Sequence, residues 1–153
     1  VTPVGSQPTR PVEITQPPAS AGTLPTLPPF EPRPSATPDL TSGLRFALSS
    51  QDPVCDPALP QGLLQVYVVD EEGQQVAGAR VTVTWAGGQT DTFYTGLAPE
   101  MGAGYADFRM TPQVSYMVTV GEAGEPASGL VAPVCQNADG TSYMGGIRTR
   151  FRP

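Results

Sequence analysis

The residues of this chain with the clearest chemistry are two cysteines, Cys55 and Cys135, and three arginines at alternate positions, Arg148, Arg150 and Arg152. What is missing narrows the chemistry further. The sequence has no histidine and no lysine, so Ser–His, Cys–His and Ser–Lys nucleophilic systems cannot be assembled. Two cysteines without histidine do not complete a zinc donor set. Asp70, Glu71 and Glu72 form the densest carboxylate cluster. Paired carboxylates can cleave glycosides, but a charged run ending in Gly73 reads more simply as a solvated turn. Asn137 and Asp139 in the run NADG resemble a fragment of a calcium loop, without its further ligands or its distal glutamate. The sequence is therefore read as non-enzymatic, with no catalytic residue, no metal and no cofactor.

The two cysteines flank the β-rich part of the chain. Their expected chemistry is one disulfide, in keeping with an exported protein. Closing a loop of about 80 residues would stabilise the fold by roughly 4 kcal/mol in the chain-entropy model. The start at Val1, with no signal-like apolar run, fits a secreted chain whose signal peptide has been removed. The arginines belong to the run Ile147-Arg148-Thr149-Arg150-Phe151-Arg152. In a strand they share one face, while Ile147, Thr149 and Phe151 turn to the core. As a last strand, this row either guards a sheet edge against unwanted pairing or holds acidic groups of a neighbour. Trp85, Phe93 and Tyr94 could form a sugar-binding aromatic face; Trp85 in the core is the simpler reading.

The elements that carry these residues divide into two parts. Eleven of the nineteen prolines lie between Pro3 and Pro38. Residues 1–42 are thus a Pro/Ser/Thr-rich extended arm, and residues 43–153 a body large enough to bury its own core. Proline fixes φ and removes a donor, which denies the arm helix and central strand and favours polyproline II. Its eleven serines and threonines are candidate O-glycosylation sites. Apolar residues recur at Val12, Ile14, Leu24, Leu27 and Phe30, and the last three, at spacing three, would share one face of a polyproline II helix. Forty residues in that form reach about 120 Å, against about 35 Å across the body.

The body reads as short alternating strands. Leu64, Val66 and Val68 lead through the turn 70–73 to Val81, Val83 and Trp85, which predicts a hairpin over residues 63–85. A first strand is expected at 44–49, followed by a loop over 51–61 carrying Cys55. Gly87-Gly88 turns into a strand at 91–95. Strands 105–110 and 115–120 are expected to form a second hairpin through Thr111-Pro112. A short strand at 129–134, a turn at 137–140 and a last strand at 143–151 complete the reading. Seven or eight strands without a helical period predict an all-β, two-sheet Ig-like sandwich.

The pattern V-x-V-x-D-x-x-G-x-x-V-x-G-A-x-V-x-V runs from Val66 to Val83, with Asp70, Gly73, Val76, Gly78 and Ala79 in place. It continues through Thr95-Gly96, Gly104-Tyr105-Ala106-Asp107-Phe108 and Tyr116-Met117-Val118-Thr119-Val120. Residues 63–122 in this way resemble the carboxypeptidase regulatory-like and transthyretin-like group of sandwiches, which includes collagen-adhesin B-type repeats. The resemblance implies a prealbumin-like sandwich serving as a spacer, stalk or accessory module, and says little of function. Lysine is absent and Asn137 is the single asparagine, so the Lys–Asn isopeptide bond of some members is excluded. The long loop 96–104 departs from the group's tighter turn and offers a contact surface.

The net charge of −6 comes with no basic surface suited to phosphates, which excludes nucleic acid as an expected partner. No apolar run approaches a membrane span. The functional expectation is an extracellular structural subunit of a surface filament or array. Its arm would dock on neighbouring copies through Val12, Ile14, Leu24, Leu27 and Phe30, with glycans as candidate additions. The alternatives are an accessory or spacer module of a secreted protein and a carbohydrate-binding module.

Overall fold

A computed structural model describes residues 43–153. The arm with Val12, Ile14, Leu24, Leu27 and Phe30 lies outside the described residues. Ten strands follow in chain order: β1 (Ala47–Val54), β2 (Leu63–Val68), β3 (Arg80–Trp85), β4 (Gln89–Tyr94), β5 (Tyr105–Arg109), β6 (Tyr116–Val120), β7 (Ala127–Leu130), β8 (Val134–Gln136), β9 (Ser142–Met144) and β10 (Gly146–Arg152). They form two four-stranded sheets, ordered β1-β10-β2-β5 and β4-β3-β6-β7, and a small β8-β9 hairpin. The fold is all-β, as expected. The only helical piece among the described residues is a single 3-10 turn, Ala86–Gly88, so no described helix is long and apolar enough to cross a membrane.

Alternation places the core. Leu64, Val66 and Val68 of β2 meet Val81 and Val83 of β3 and Val118 and Val120 of β6, all fully buried. Phe46, Met110, Leu130 and Phe151 fill the remaining space. A fully buried aliphatic or aromatic side chain of this kind contributes about 1.5–3 kcal/mol.

The expected hairpin over residues 63–85 does not form, because β2 and β3 lie in different sheets. The acidic turn is real: the Gly73 N–H donates to the Asp70 carbonyl at 3.1 Å, and the Asp70 N–H to the Gln74 carbonyl at 2.8 Å. It closes only the bridge between Val69 and Gln75, after which the chain crosses to the second sheet. Both edges of β2 are occupied, by β10 and β5. The pair 105–110 and 115–120 splits in the same way, β5 joining β2 and β6 joining β3. Period-two patterning cannot distinguish the two arrangements, since a hairpin and a crossing between sheets both turn alternate residues to one core. The Gly87-Gly88 turn does join a true hairpin, β3-β4.

Three boundaries also move. β1 begins later than expected and runs through Pro53 to Val54. Phe46 is buried just ahead of it, and Pro53 is tolerated because β1 is an edge strand. The strand expected at 129–134 is two strands, β7 and β8. The strand expected at 143–151 breaks at Gly145 into β9 and β10. A Cβ at position 145 would run into the Cys135 sulfur and the Val54 carbonyl oxygen. The strand is interrupted where the chain passes the disulfide.

Candidate functional site

Cys55 and Cys135 form the expected disulfide, with Cα atoms 5.6 Å apart and a sequence separation of 80. It ties the end of β1 to the centre of β8. No free cysteine remains among the described residues.

The arginine row occupies a different place from the one an edge guard requires. β10 is an interior strand, antiparallel to β1 on one side and parallel to β2 on the other. Its alternation is as expected: Ile147, Thr149 and Phe151 are buried, and Arg148, Arg150 and Arg152 are exposed on the outer face. The cross-strand neighbours of Arg148 are Asp52 and Gln65, and those of Arg150 are Ser50 and Tyr67. Ser49, Ser50, Asp52 and Tyr67 line a groove of ≈ 640 Å³ together with the three arginines.

Local hydrogen bonds steady the row without neutralising it. Arg148 Nε donates to Gln65 Oε1 at 3.3 Å, and Arg152 Nη2 to the Glu71 carbonyl at 3.4 Å. Ser49 Oγ donates to the Arg150 carbonyl at 3.0 Å. The single ion pair among the described residues, Arg80 with Glu122 at 3.6 Å, lies elsewhere and is exposed. The three guanidinium groups therefore share one surface of an acidic protein with no described carboxylate within ion-pair distance. Such a surface is chemically fitted to carboxylate-bearing groups, which Arg binds in a fork geometry.

The aromatic residues do not make one sugar-binding face. Trp85 packs against Phe108 and Tyr116, with ring centroids 5.5 and 5.8 Å away. Phe93 stacks on Phe108 at 6.2 Å. This cluster closes the core between the sheets. Tyr94, next to Phe93 on β4, turns away and is 49% exposed. The turn residues Asn137 and Asp139 are engaged in their own hairpin. Asp139 Oδ1 accepts from the Thr141 N–H at 2.9 Å and from its hydroxyl at 2.6 Å, which lowers the carboxyl pKa below its ordinary value.

Three further structural partners are not among the candidate site residues. Thr95 is buried where the chain changes sheets. Gln65 is buried on the outer face, under the arginines. Tyr105 lies edge-on to Tyr67 at 5.2 Å and donates its hydroxyl to Asp107 Oδ2 at 3.1 Å. Burial, then the charge of Asp107, pushes its phenol up to about 12. Thr95 and Tyr105 stand in the pattern that runs on from Val66–Val83, which marks them without giving their role; Gln65 has no signal beyond its place inside a strand.

No protein-family model matches this sequence, and no curated protein matches it. Among solved structures, the crystal structure of a C-terminal fragment of the pilus adhesin SpaC from Lactobacillus rhamnosus GG is similar, at 14% identity and a TM-score of 0.37. The alignment covers 61% of this chain and 45% of that one, so the chain spans less than half the length of the fragment it matches.

Proposed function

We propose that this protein is a non-enzymatic extracellular structural subunit that assembles into a surface filament or array. The observation that carries this reading is the placement of Arg148, Arg150 and Arg152 on a strand already paired on both sides. A charged row on such a strand has no edge to protect. We read the row as a contact surface for acidic groups of a neighbouring subunit. The Cys55–Cys135 disulfide supports an oxidising compartment. The absence of histidine and lysine from the whole sequence supports the non-enzymatic part.

The sandwich is a further point of support for kinship with the carboxypeptidase regulatory-like and transthyretin-like modules. Asp70 and Gly73 close the turn after β2, and Gly78 and Ala79 lead into β3. In this reading the proline-rich arm lies on neighbouring subunits through Val12, Ile14, Leu24, Leu27 and Phe30, and its serines and threonines are glycan acceptors. A contact between different surfaces of successive copies propagates into a fibre unless its rotation closes a ring.

The test is deletion of residues 1–40, compared with the intact chain by negative-stain microscopy and light scattering. The shortened protein is expected to keep its thermal unfolding midpoint and remain monomeric while the intact chain assembles. Assembly that is unchanged by the deletion would sink the reading.

A further inference from the structure

The strands β4 and β5 are the edges of the two sheets at one side of the sandwich. A second groove, of ≈ 320 Å³, opens there between Phe93, Tyr94, Leu97, Ala98, Tyr105 and Asp107. Its rim is apolar and exposed: Leu97 is 78% accessible, and Tyr94 projects beside it. Leu97 stands on the loop 96–104, which is fixed in place. The Gly96 N–H donates to the Tyr105 carbonyl at 2.9 Å, and the Gly104 N–H to Gln75 Oε1 at 3.0 Å. Leu97, on the anchored loop, and Tyr94 give the groove an exposed apolar rim. Asp107 adds a charge. One of its oxygens accepts from Tyr105, and no described cation lies within ion-pair distance.

Aromatic-lined grooves of this kind recognise proline-rich segments, whose extended form loses little entropy on docking. The chain supplies such a segment itself. In residues 24–34, LPTLPPFEPRP, prolines stand at 25, 28, 29, 32 and 34. Leu24, Leu27, Phe30 and Arg33 recur at spacing three. In a polyproline II helix, with three residues per turn, this spacing would put them on one face, three apolar side chains followed by a cation. The groove offers the complement, an apolar aromatic wall with a carboxylate on it.

We propose that this groove is the receptor for residues 24–33 of a neighbouring copy, Leu27 and Phe30 against Tyr94 and Leu97, and Arg33 on Asp107. The assignment rests on the arm-docking reading above and gives it an address on the body.

A charge exchange in the full-length chain tests it. Arg33→Asp and Asp107→Arg each place like charges together, and each variant alone is expected to need at least tenfold more protein to assemble, measured by light scattering. In an equimolar mixture every contact between unlike variants pairs opposite charges, the introduced aspartate on the introduced arginine or the native Arg33 on the native Asp107, so an alternating assembly forms and its concentration returns toward the wild-type value. Leu97→Glu, an exposed substitution, is expected to block assembly with the unfolding midpoint unchanged. A mixture that assembles no better than its components, or variants that assemble like wild type, overturns the proposal. The triple variant Leu24→Ser/Leu27→Ser/Phe30→Ser separates the two levels. If it assembles normally, arm docking itself fails and this assignment falls with it. If it stays monomeric while Leu97→Glu assembles, the arm docks at another surface and only the groove is wrong.

Discussion

Thr95 Oγ1 donates to the Val76 carbonyl at 2.6 Å and accepts from the Ala79 N–H at 2.9 Å. One buried hydroxyl thereby joins both sides of the crossing between β2 and β3. The Thr95 backbone repeats the connection, its N–H donating to the Ala79 carbonyl and its carbonyl accepting from Gly78, both at 3.0 Å. The crossing is held to the second sheet by the residue just after β4, and to the first by the Val76 N–H, which donates to the Val68 carbonyl of β2 at 3.0 Å.

Thr95→Val keeps the shape and removes both hydroxyl bonds, leaving the Ala79 N–H and the Val76 carbonyl short of a partner. The expected cost is about 2 kcal/mol, within the range for orphaned buried groups. The urea midpoint should fall without a change in slope. Thr95→Ser, which retains the hydroxyl, should recover most of the loss.

Removing the disulfide as Cys55→Ser/Cys135→Ser is expected to cost about 4 kcal/mol, the loop-closure value for a span of this length. Chemical denaturation of the oxidised protein and the variant measures it. Gly145→Ala is expected to destabilise the oxidised protein more than the double-serine variant, because its Cβ meets the Cys135 sulfur and the Val54 carbonyl. Equal effects in both backgrounds would show that the backbone contact dominates.

Tyr105 fixes the sign of an alkaline effect. Its phenol ionises at about 12 in the folded chain, raised first by burial and then by Asp107, against 10.0 ordinarily. The folded state therefore holds its proton above the pH at which the unfolded chain releases it. The stabilisation is complete below pH 10 and is lost as pH rises from there through 12. Absorbance titration should show one tyrosine ionising late, and Tyr105→Phe should remove it and flatten the alkaline decline in stability.

Arg148→Gln/Arg150→Gln/Arg152→Gln leaves the inward residues of β10 untouched. The unfolding free energy is expected to change by no more than about 0.5 kcal/mol per site, as for exposed positions. Assembly of the wild-type chain should weaken with added salt, since exposed charges are screened within about 8–10 Å at 0.10–0.15 M. The variant should assemble more weakly at low salt and lose most of that salt dependence.

The two-layer β architecture, the disulfide and the inward set Ile147, Thr149 and Phe151 were legible in the sequence, because each depends on local alternation or on residue type. The pairing of strands was not. Leu64, Val66 and Val68 look the same whether β3 lies beside β2 or across the core from it, and the choice is made by β5 and β10 arriving from later in the chain. The arginine row carried the same ambiguity. Its spacing shows a face but not whether the strand is an edge, and that distinction changes its role. Gly145 was silent for another reason: a glycine's necessity is visible only once the atoms that would crowd its Cβ are placed. The groove at Tyr94, Leu97 and Asp107 joins residues from two strands and a loop, a juxtaposition with no linear signature.

The slot filled by β10 also sets an order of events. Ser49 on β1 and Arg150 on β10 are bonded across 101 residues of sequence, and β2 cannot be joined to β1 until β10 lies between them. Contacts so distant along the chain make folding slow. On a chain emerging from the ribosome, the second sheet can be completed while the first still has a gap. Until residues 146–152 enter it, β1 and β2 each present an unpaired edge, and the nascent protein is most open to aberrant pairing during that interval.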